Sequence, residues 1–343
     1  MSFEPADPAP GAAAESPPAP SPLARVRRAL AGVSGVAVTP YAADGEPDWA
    51  LAGAIARSVA EAGVPNVVAA GNTGEFYPLT PLEIGRCHAA LAEAVGDRAL
   101  VTAGVGRSLR EAIQQSRDAA AAGCGAVMVH HPLDPFAAPR AQADYVRAIA
   151  DASPVPVIAY LRADAMSLAD LARLAGHGNV AGVKYASTNL MHLAGAIRAS
   201  EEAGASAAQG GALWVCGLAE AWAAPFRALG ARGFTSGLVN VWPERSLAIA
   251  AALDRGDDEE ARRLVAAIAP FEAMRARHNH GANVTVVKEA LAMRGLAVGP
   301  VRLPGLPALD EAERAELRAI IAAWDLDGAD AEGGRASARG LAA

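Results

Sequence analysis

The sequence predicts an α/β fold, a (β/α)8 TIM barrel followed by a C-terminal helical appendage. Three observations carry this. Short apolar runs alternate with amphipathic stretches eight times between Gly35 and Arg255, which points to a parallel sheet with helical crossovers. Eight such units within about 250 residues is the size of a closed barrel. The first strand runs into Thr39-Pro40-Tyr41 rather than the glycine-rich turn that opens a doubly wound sheet.

In order, strand-helix pairs are expected at Gly35 to Pro40 with Trp49 to Ala62, Asn66 to Gly71 with Leu82 to Val95, and Ala99 to Val105 with Arg110 to Ala122. Gly125 to His131 with Ala141 to Ala152, Pro154 to Tyr160 with Leu168 to Ala175, and Asn179 to Lys184 with Asn189 to Ala203 follow. Ala212 to Cys216 with Glu220 to Leu229, and Gly233 to Leu238 with Glu244 to Arg255, complete the set. Beyond them, Glu259 to Arg277, Val284 to Arg294 and Asp310 to Trp324 have helical patterns. Asp310 is placed to cap the last of these, with Glu311 and Glu313 favourable in its first turn. The expected organisation is a tail and lead-in over 1–30, the barrel over 31–257, C-terminal helices over 258–327 and a tail over 328–343. Met1 to Pro22 is rich in Pro, Ala and Ser, a composition that suits disorder.

Composition excludes several function classes. The 343 residues carry a net charge of −7 with no basic block, which argues against a nucleic-acid partner. No apolar run is long enough to span a bilayer, and no signal-peptide order opens the chain. Cys87, Cys124 and Cys216 are odd in number and widely spaced, so they are expected as reduced thiols in a cytoplasmic protein. Neither they nor His278-Asn279-His280 have metal-ligand spacing. No metal and no cofactor is expected.

Catalytic groups of such a barrel stand at the C-terminal ends of strands. The sixth run ends in Gly182-Val183-Lys184, and strict alternation puts Val180, Gly182 and Lys184 on one face. If that face is the interior, desolvation lowers the lysine pKa from about 10.4 and makes the amine a nucleophile; a lysine snorkelling into solvent is the bland alternative. Tyr160 shares parity with Pro156 and Ile158, which brings its phenol beside Lys184. There it could shuttle protons, its pKa lowered by the neighbouring ammonium. Gly71 and Gly74 flank Asn72 and Thr73 and free the backbone N–H groups to turn onto an anion, a concavity suited to a carboxylate. A phosphate site at Gly210-Gly211 and Ser236-Gly237 ranks below it, because no basic residue accompanies those glycines.

Thr39-Pro40-Tyr41, Gly71-Asn72-Thr73-Gly74-Glu75, the strand-five Tyr160 and Gly182-Val183-Lys184, in that order, resemble the dihydrodipicolinate synthase / N-acetylneuraminate lyase superfamily of class I aldolases and dehydratases. The likeness spans Gly32 to Leu309 and includes Asn283 to Lys288 and Val301 to Pro304. It implies a lyase in which Lys184 forms a Schiff base with a 2-oxo acid, Tyr160 is the acid/base assisted by the Thr73 hydroxyl, and Asn72 and Thr73 hold the carboxylate. It also implies a homotetramer or homodimer.

The sequence departs from the synthase in having His130-His131 where that branch has a tyrosine pair, and Tyr160-Leu161-Arg162 in place of Tyr-Asn-x-Pro. Ala69 to Phe76, and Asn240 with Pro243-Glu244, look closer to the 5-dehydro-4-deoxyglucarate dehydratase branch. That likeness makes Gly74, Arg162, His131, Ser236 and Asn240 candidate substrate contacts, with Arg162 on a distal carboxylate. It implies dehydration and decarboxylation of 5-dehydro-4-deoxyglucarate to 2,5-dioxopentanoate; retro-aldol cleavage releasing pyruvate, a dihydrodipicolinate-synthase-like reaction, and a non-catalytic oxo-acid-binding barrel are the alternatives.

Overall fold

The computed structural model describes residues 20–132, 134–162 and 164–326. The tails expected over 1–22 and 328–343 therefore lie largely or wholly outside the described residues. Helix α1 (Pro22–Leu30) comes first, within what was expected to be lead-in. Ser21 caps it by accepting from the Ala24 N–H, and Pro22 sits where a missing donor costs nothing.

The barrel is built from β1 (Val33–Val36), α2 (Trp49–Glu61), β2 (Asn66–Ala69), α3 (Pro81–Val95), β3 (Leu100–Val105), α4 (Leu109–Ala121), β4 (Ala126–Val129) and α5 (Pro139–Ala152). Then come β5 (Val157–Leu161), α6 (Leu168–Ala175), β6 (Val180–Tyr185), α7 (Leu190–Glu202), β7 (Leu213–Cys216), α8 (Ala223–Ala228), β8 (Phe234–Ser236) and α9 (Pro243–Arg255). All neighbours are parallel and β8 returns to β1, so the barrel closes. Helices α10 (Asp258–Arg275), α11 (Asn283–Met293) and α12 (Glu311–Ala323) follow.

Most of the helices start where a side chain can satisfy their free N–H groups. Asp48, Thr80, Ser108, Ser167, Asn189, Asp257 and Asp310 all accept from the first turn, Thr80 and Asp310 in capping boxes with Glu83 and Glu313.

Two apolar layers result from strand alternation. Val67, Val101, Val127 and Val183 face the helices, while Val36, Val68, Met128, Ile158 and Val215 fill the interior. Val26 and Leu30 of α1 join the interior layer. Among the described residues no helix is long and apolar enough to cross a membrane.

Three local expectations need correction. Val180 packs in the outer layer, whereas Ala181 belongs to the inner one. The β5–β6 register slips there, Val157 pairing with Val180 and Ile158 with Gly182, so a bulge breaks strict alternation before it resumes through Gly182 and Lys184. The first strand ends at Val36, and Ala37 to Pro40 continue as loop. The segment after β7 begins as a 3-10 turn, Glu220–Trp222, before α8.

Candidate active site

Lys184 lies near the end of β6, 5% exposed, with Nζ 4.0 Å from the centroid of the Tyr160 ring on neighbouring β5. The register pairs Tyr160 with Lys184 directly. Burial, and secondarily the Arg162 guanidinium, push the lysine down to about 7. Its amine is therefore substantially neutral near physiological pH and available to attack a carbonyl.

Tyr160 departs from expectation. Burial raises its phenol above the ordinary value, and the opposing pull of Arg162 does not cancel this. The expected lowering fails because burial of the phenol outweighs the positive charge near it. The phenol is a proton donor at neutral pH.

Its hydroxyl oxygen accepts from Asn72 Nδ2 at 2.8 Å. The turn thus sends the Asn72 side chain to Tyr160, while Thr73 Oγ1 lies against Gly237. The side chain of the turn that is hydrogen-bonded to the phenol is that of Asn72, where Thr73 was expected to assist.

The Asn72-Thr73-Gly74 turn is braced at both ends. Ala70 and Glu75 both have left-handed backbone, with φ of 51° and 59°, a conformation uncommon for residues with a Cβ. His130 holds the first: Nε2–H donates to Ala70 O at 3.0 Å while the ring stacks on Phe76 at 3.9 Å. Burial drives His130 down to about 3, so the ring is neutral.

Lys288 of α11 holds the second, Nζ lying 3.0 Å from Glu75 Oε1 with both side chains 2% exposed. It also donates to Thr39 O and Pro300 O, and the Arg302 N–H donates to Glu75 Oε2 at 2.8 Å. Burial raises Glu75 and lowers Lys288, and the ion pair works against both. Between the braces, Thr39 Oγ1 donates to Gly74 O at 2.7 Å. A Cβ on Gly74 would lie 2.8 Å from Ala37 O, so the turn can pack this closely only with glycine.

Arg162 is exposed at the end of β5, and its charge lowers Lys184, Tyr160, Tyr77 and His131 alike. It directly follows β5, at the end of the barrel where Lys184 and Tyr160 lie, with His131 directly following His130 beyond β4 and Tyr77 after the Gly71 to Phe76 turn. Tyr77, whose hydroxyl donates to His131 O at 3.3 Å, was not anticipated; its place directly after the Gly71 to Phe76 turn was the available signal.

Two expected substrate contacts are not brought to the site. The Ser236 hydroxyl is buried and donates to Glu220 Oε1. Asn240 uses its whole amide to stitch β8 to β1, accepting from the Val38 N–H and donating to Val36 O and Gly237 O. Among the described residues no cluster of His, Cys, Asp or Glu could hold a metal ion.

Comparison with known proteins adds the family. Residues 29–324 match the model of the dihydrodipicolinate synthetase family. The chain belongs to that family.

An uncharacterized DapA-like lyase of Halobacterium salinarum is 34% identical over 89% of this chain and 97% of its own. A probable 5-dehydro-4-deoxyglucarate dehydratase of Streptomyces coelicolor is 34% identical over 78% of this chain and 84% of its own. The crystal structure of dihydrodipicolinate synthase from Bacillus clausii superposes with a TM-score of 0.83, at 34% identity, over 88% of this chain and all of that one. The protein is thus an enzyme, a Schiff-base lyase of the dihydrodipicolinate synthetase family.

Proposed function

We propose that this lyase dehydrates and decarboxylates 5-dehydro-4-deoxyglucarate to 2,5-dioxopentanoate through a Schiff base on Lys184. The observation that carries the reading is the buried Lys184 amine, lowered to about 7 and lying against the Tyr160 ring. The exposed Arg162 cation at the rim supports a substrate with a second carboxylate at its far end.

The substrate's carboxylate next to the keto group lies on the N–H groups of the Asn72-Thr73-Gly74 turn. Lys184 adds to the keto carbon, and Tyr160 donates the proton that lets the carbinolamine oxygen leave as water. The iminium draws electrons and acidifies the adjacent CH2. The Tyr160 phenolate, stabilised by the Asn72 amide N–H, takes that proton and returns it to the hydroxyl leaving from the next carbon.

A conjugated iminium results. Its electron demand draws the bonding pair of the far carboxylate inward as carbon dioxide departs, leaving an enol that tautomerises to the aldehyde. Hydrolysis frees Lys184 and returns the water released on imine formation. The net reaction loses one water and one carbon dioxide, with no change of oxidant or reductant.

The test is incubation with 5-dehydro-4-deoxyglucarate, with assays for carbon dioxide and the dioxo acid, and borohydride trapping mapped by mass spectrometry. Both products and an adduct on Lys184 are expected. Pyruvate without carbon dioxide would overturn the dehydratase reading in favour of aldol cleavage, and absence of any adduct would remove the Schiff base from Lys184.

A further inference from the structure

Behind the carboxylate cradle, the barrel seam is held by side chains. β7 and β8 share a single register pair, Cys216 with Phe234, and β8 is only three residues long. Glu220, in the turn after β7 and 1% exposed, supplies what the ladder lacks. Its Oε1 accepts from the Ser236 hydroxyl at 2.5 Å and from the Ser246 hydroxyl of α9 at 2.6 Å. Ser236 Oγ accepts in turn from the Val239 N–H at 3.1 Å. Both hydroxyl protons then go to Glu220, so the 3.1 Å contact between the two serines has no proton of its own. The other carboxyl oxygen, Oε2, is buried without a hydrogen-bond partner.

Gly237 follows Ser236 in the chain, and there the cluster meets the cradle. A Cβ at Gly237 would lie 2.5 Å from Arg275 Nη2 and 3.4 Å from Thr73 Oγ1, so glycine is what admits both neighbours. Arg275, on α10, donates to Glu272 Oε1 at 2.6 Å and to Asn283 Oδ1 at 2.6 Å. The groups facing Glu220 are Cys216 of β7, Ser236 of β8, Ser246 of α9, and Glu272 and Arg275 of α10. Burial keeps the Cys216 thiol protonated, its pKa raised to about 12. Burial first, and then Glu272, raise the Glu220 carboxyl to about 7 against the pull of the two serines and Arg275.

We propose that Glu220 is a positioning residue for the cradle: through Ser236 it sets Gly237 against Thr73, and its proton sets the charge standing behind the substrate carboxylate. The inference rests on the reading of Asn72 and Thr73 as the carboxylate site. With Glu220 protonated, Arg275 and Glu272 balance, and the turn's N–H groups meet the anion unopposed. With Glu220 ionised, one guanidinium faces two carboxylates, and the surplus negative charge repels the anion.

Pyruvate trapping on Lys184 with cyanoborohydride tests this, comparing wild type with Glu220→Gln, Glu220→Ala and Ser236→Ala across the neutral pH range. The ratio of half-saturating pyruvate in wild type to that in Glu220→Gln cancels the titration of Lys184. It is expected to rise from about 1 below pH 6 to about 10 above pH 8, with the maximal trapping rates staying close. Ser236→Ala, which cuts the link but keeps the carboxyl, raises half-saturation and keeps the pH dependence. Glu220→Ala raises half-saturation at every pH, and Glu220→Gln restores the low-pH value.

A ratio flat across pH overturns the proposal, even where the variants melt at lower temperature, because a purely structural glutamate moves stability without moving that ratio. Should Glu220→Ala fail to fold, the Gln and Ser236 variants decide. A wild type with no adduct at Lys184 overturns the Schiff-base assignment itself, and this inference with it.

Discussion

Tyr160 and Asn72 are hydrogen-bonded as a pair, and on the proposed mechanism their separate removal is expected to give different signatures. Tyr160→Phe keeps the ring against Lys184 but loses the proton. Trapping at Lys184 should persist, while kcat falls about 10²- to 10⁴-fold, the usual contribution of a positioned acid/base. Asn72→Ala removes the N–H that stabilises the phenolate, which raises an already raised phenol further. Its kcat should fall about 10- to 100-fold, consistent with the loss of roughly 1.5–3 kcal/mol from one hydrogen bond to a charged group, and the basic limb of the rate profile should move to higher pH.

Lys184 and Tyr160 were legible in the sequence because residue parity survives at both positions. Which of Asn72 and Thr73 meets the phenol was not, since a turn with left-handed residues at its borders does not announce where its side chains point. Ser236 and Asn240 were correctly placed at the catalytic end of the barrel, yet their polar atoms meet Glu220, Val36 and Val38, partners far apart in sequence.

At the level of elements, the Lys288 brace makes the C-terminal helices part of the site's foundation. Lys288→Met leaves Glu75 ionisable and buried without its partner, and the loss of one member of a buried pair costs about 3–5 kcal/mol. Denaturant unfolding should show that loss. The double variant Glu75→Gln with Lys288→Met should recover part of it, since no charge is then stranded. If the single and double variants were equally destabilised, the ion pair would not be what holds the turn.

The eight strand-helix units were legible from periodicity alone, within a few residues at most ends. Two features escaped. Helix α1 carries its start signals, Ser21 then Pro22, but they follow a Pro/Ala-rich stretch that masks a nine-residue helix. The β6 bulge at Ala181 escaped because alternation of side chains assumes a regular ladder, and a slip shows only when both strands are in view.

For the molecule as a whole, the desolvated lysine has a stability consequence. Lys184 titrates at about 7 in the folded chain against about 10.4 unfolded. Between those values the unfolded state holds a proton that the native state lacks, so this group makes stability rise with pH across the window. Below pH 7 both states are protonated, and the native state bears the full cost of a buried ammonium, of order 4–5 kcal/mol. Lys184→Met should therefore be more stable than wild type at pH 6 to 7, with the advantage shrinking towards about pH 10. A constant difference across that range, by urea unfolding, would show that the amine is solvated in the folded state.

The braced turn has a further consequence, for how the protein can change. His130 and Lys288 grip it by its two ends, with the Tyr77 ring packed edge-on against His130, whereas His131 and Arg162 make no hydrogen bond to the turn among the described residues. On the proposed function, recognition of the acid group common to all 2-oxo acids is thereby uncoupled from recognition of whatever lies beyond it. Variation at His131 and Arg162 can then redirect the choice of substrate while the scaffold that presents the shared half stays as it is.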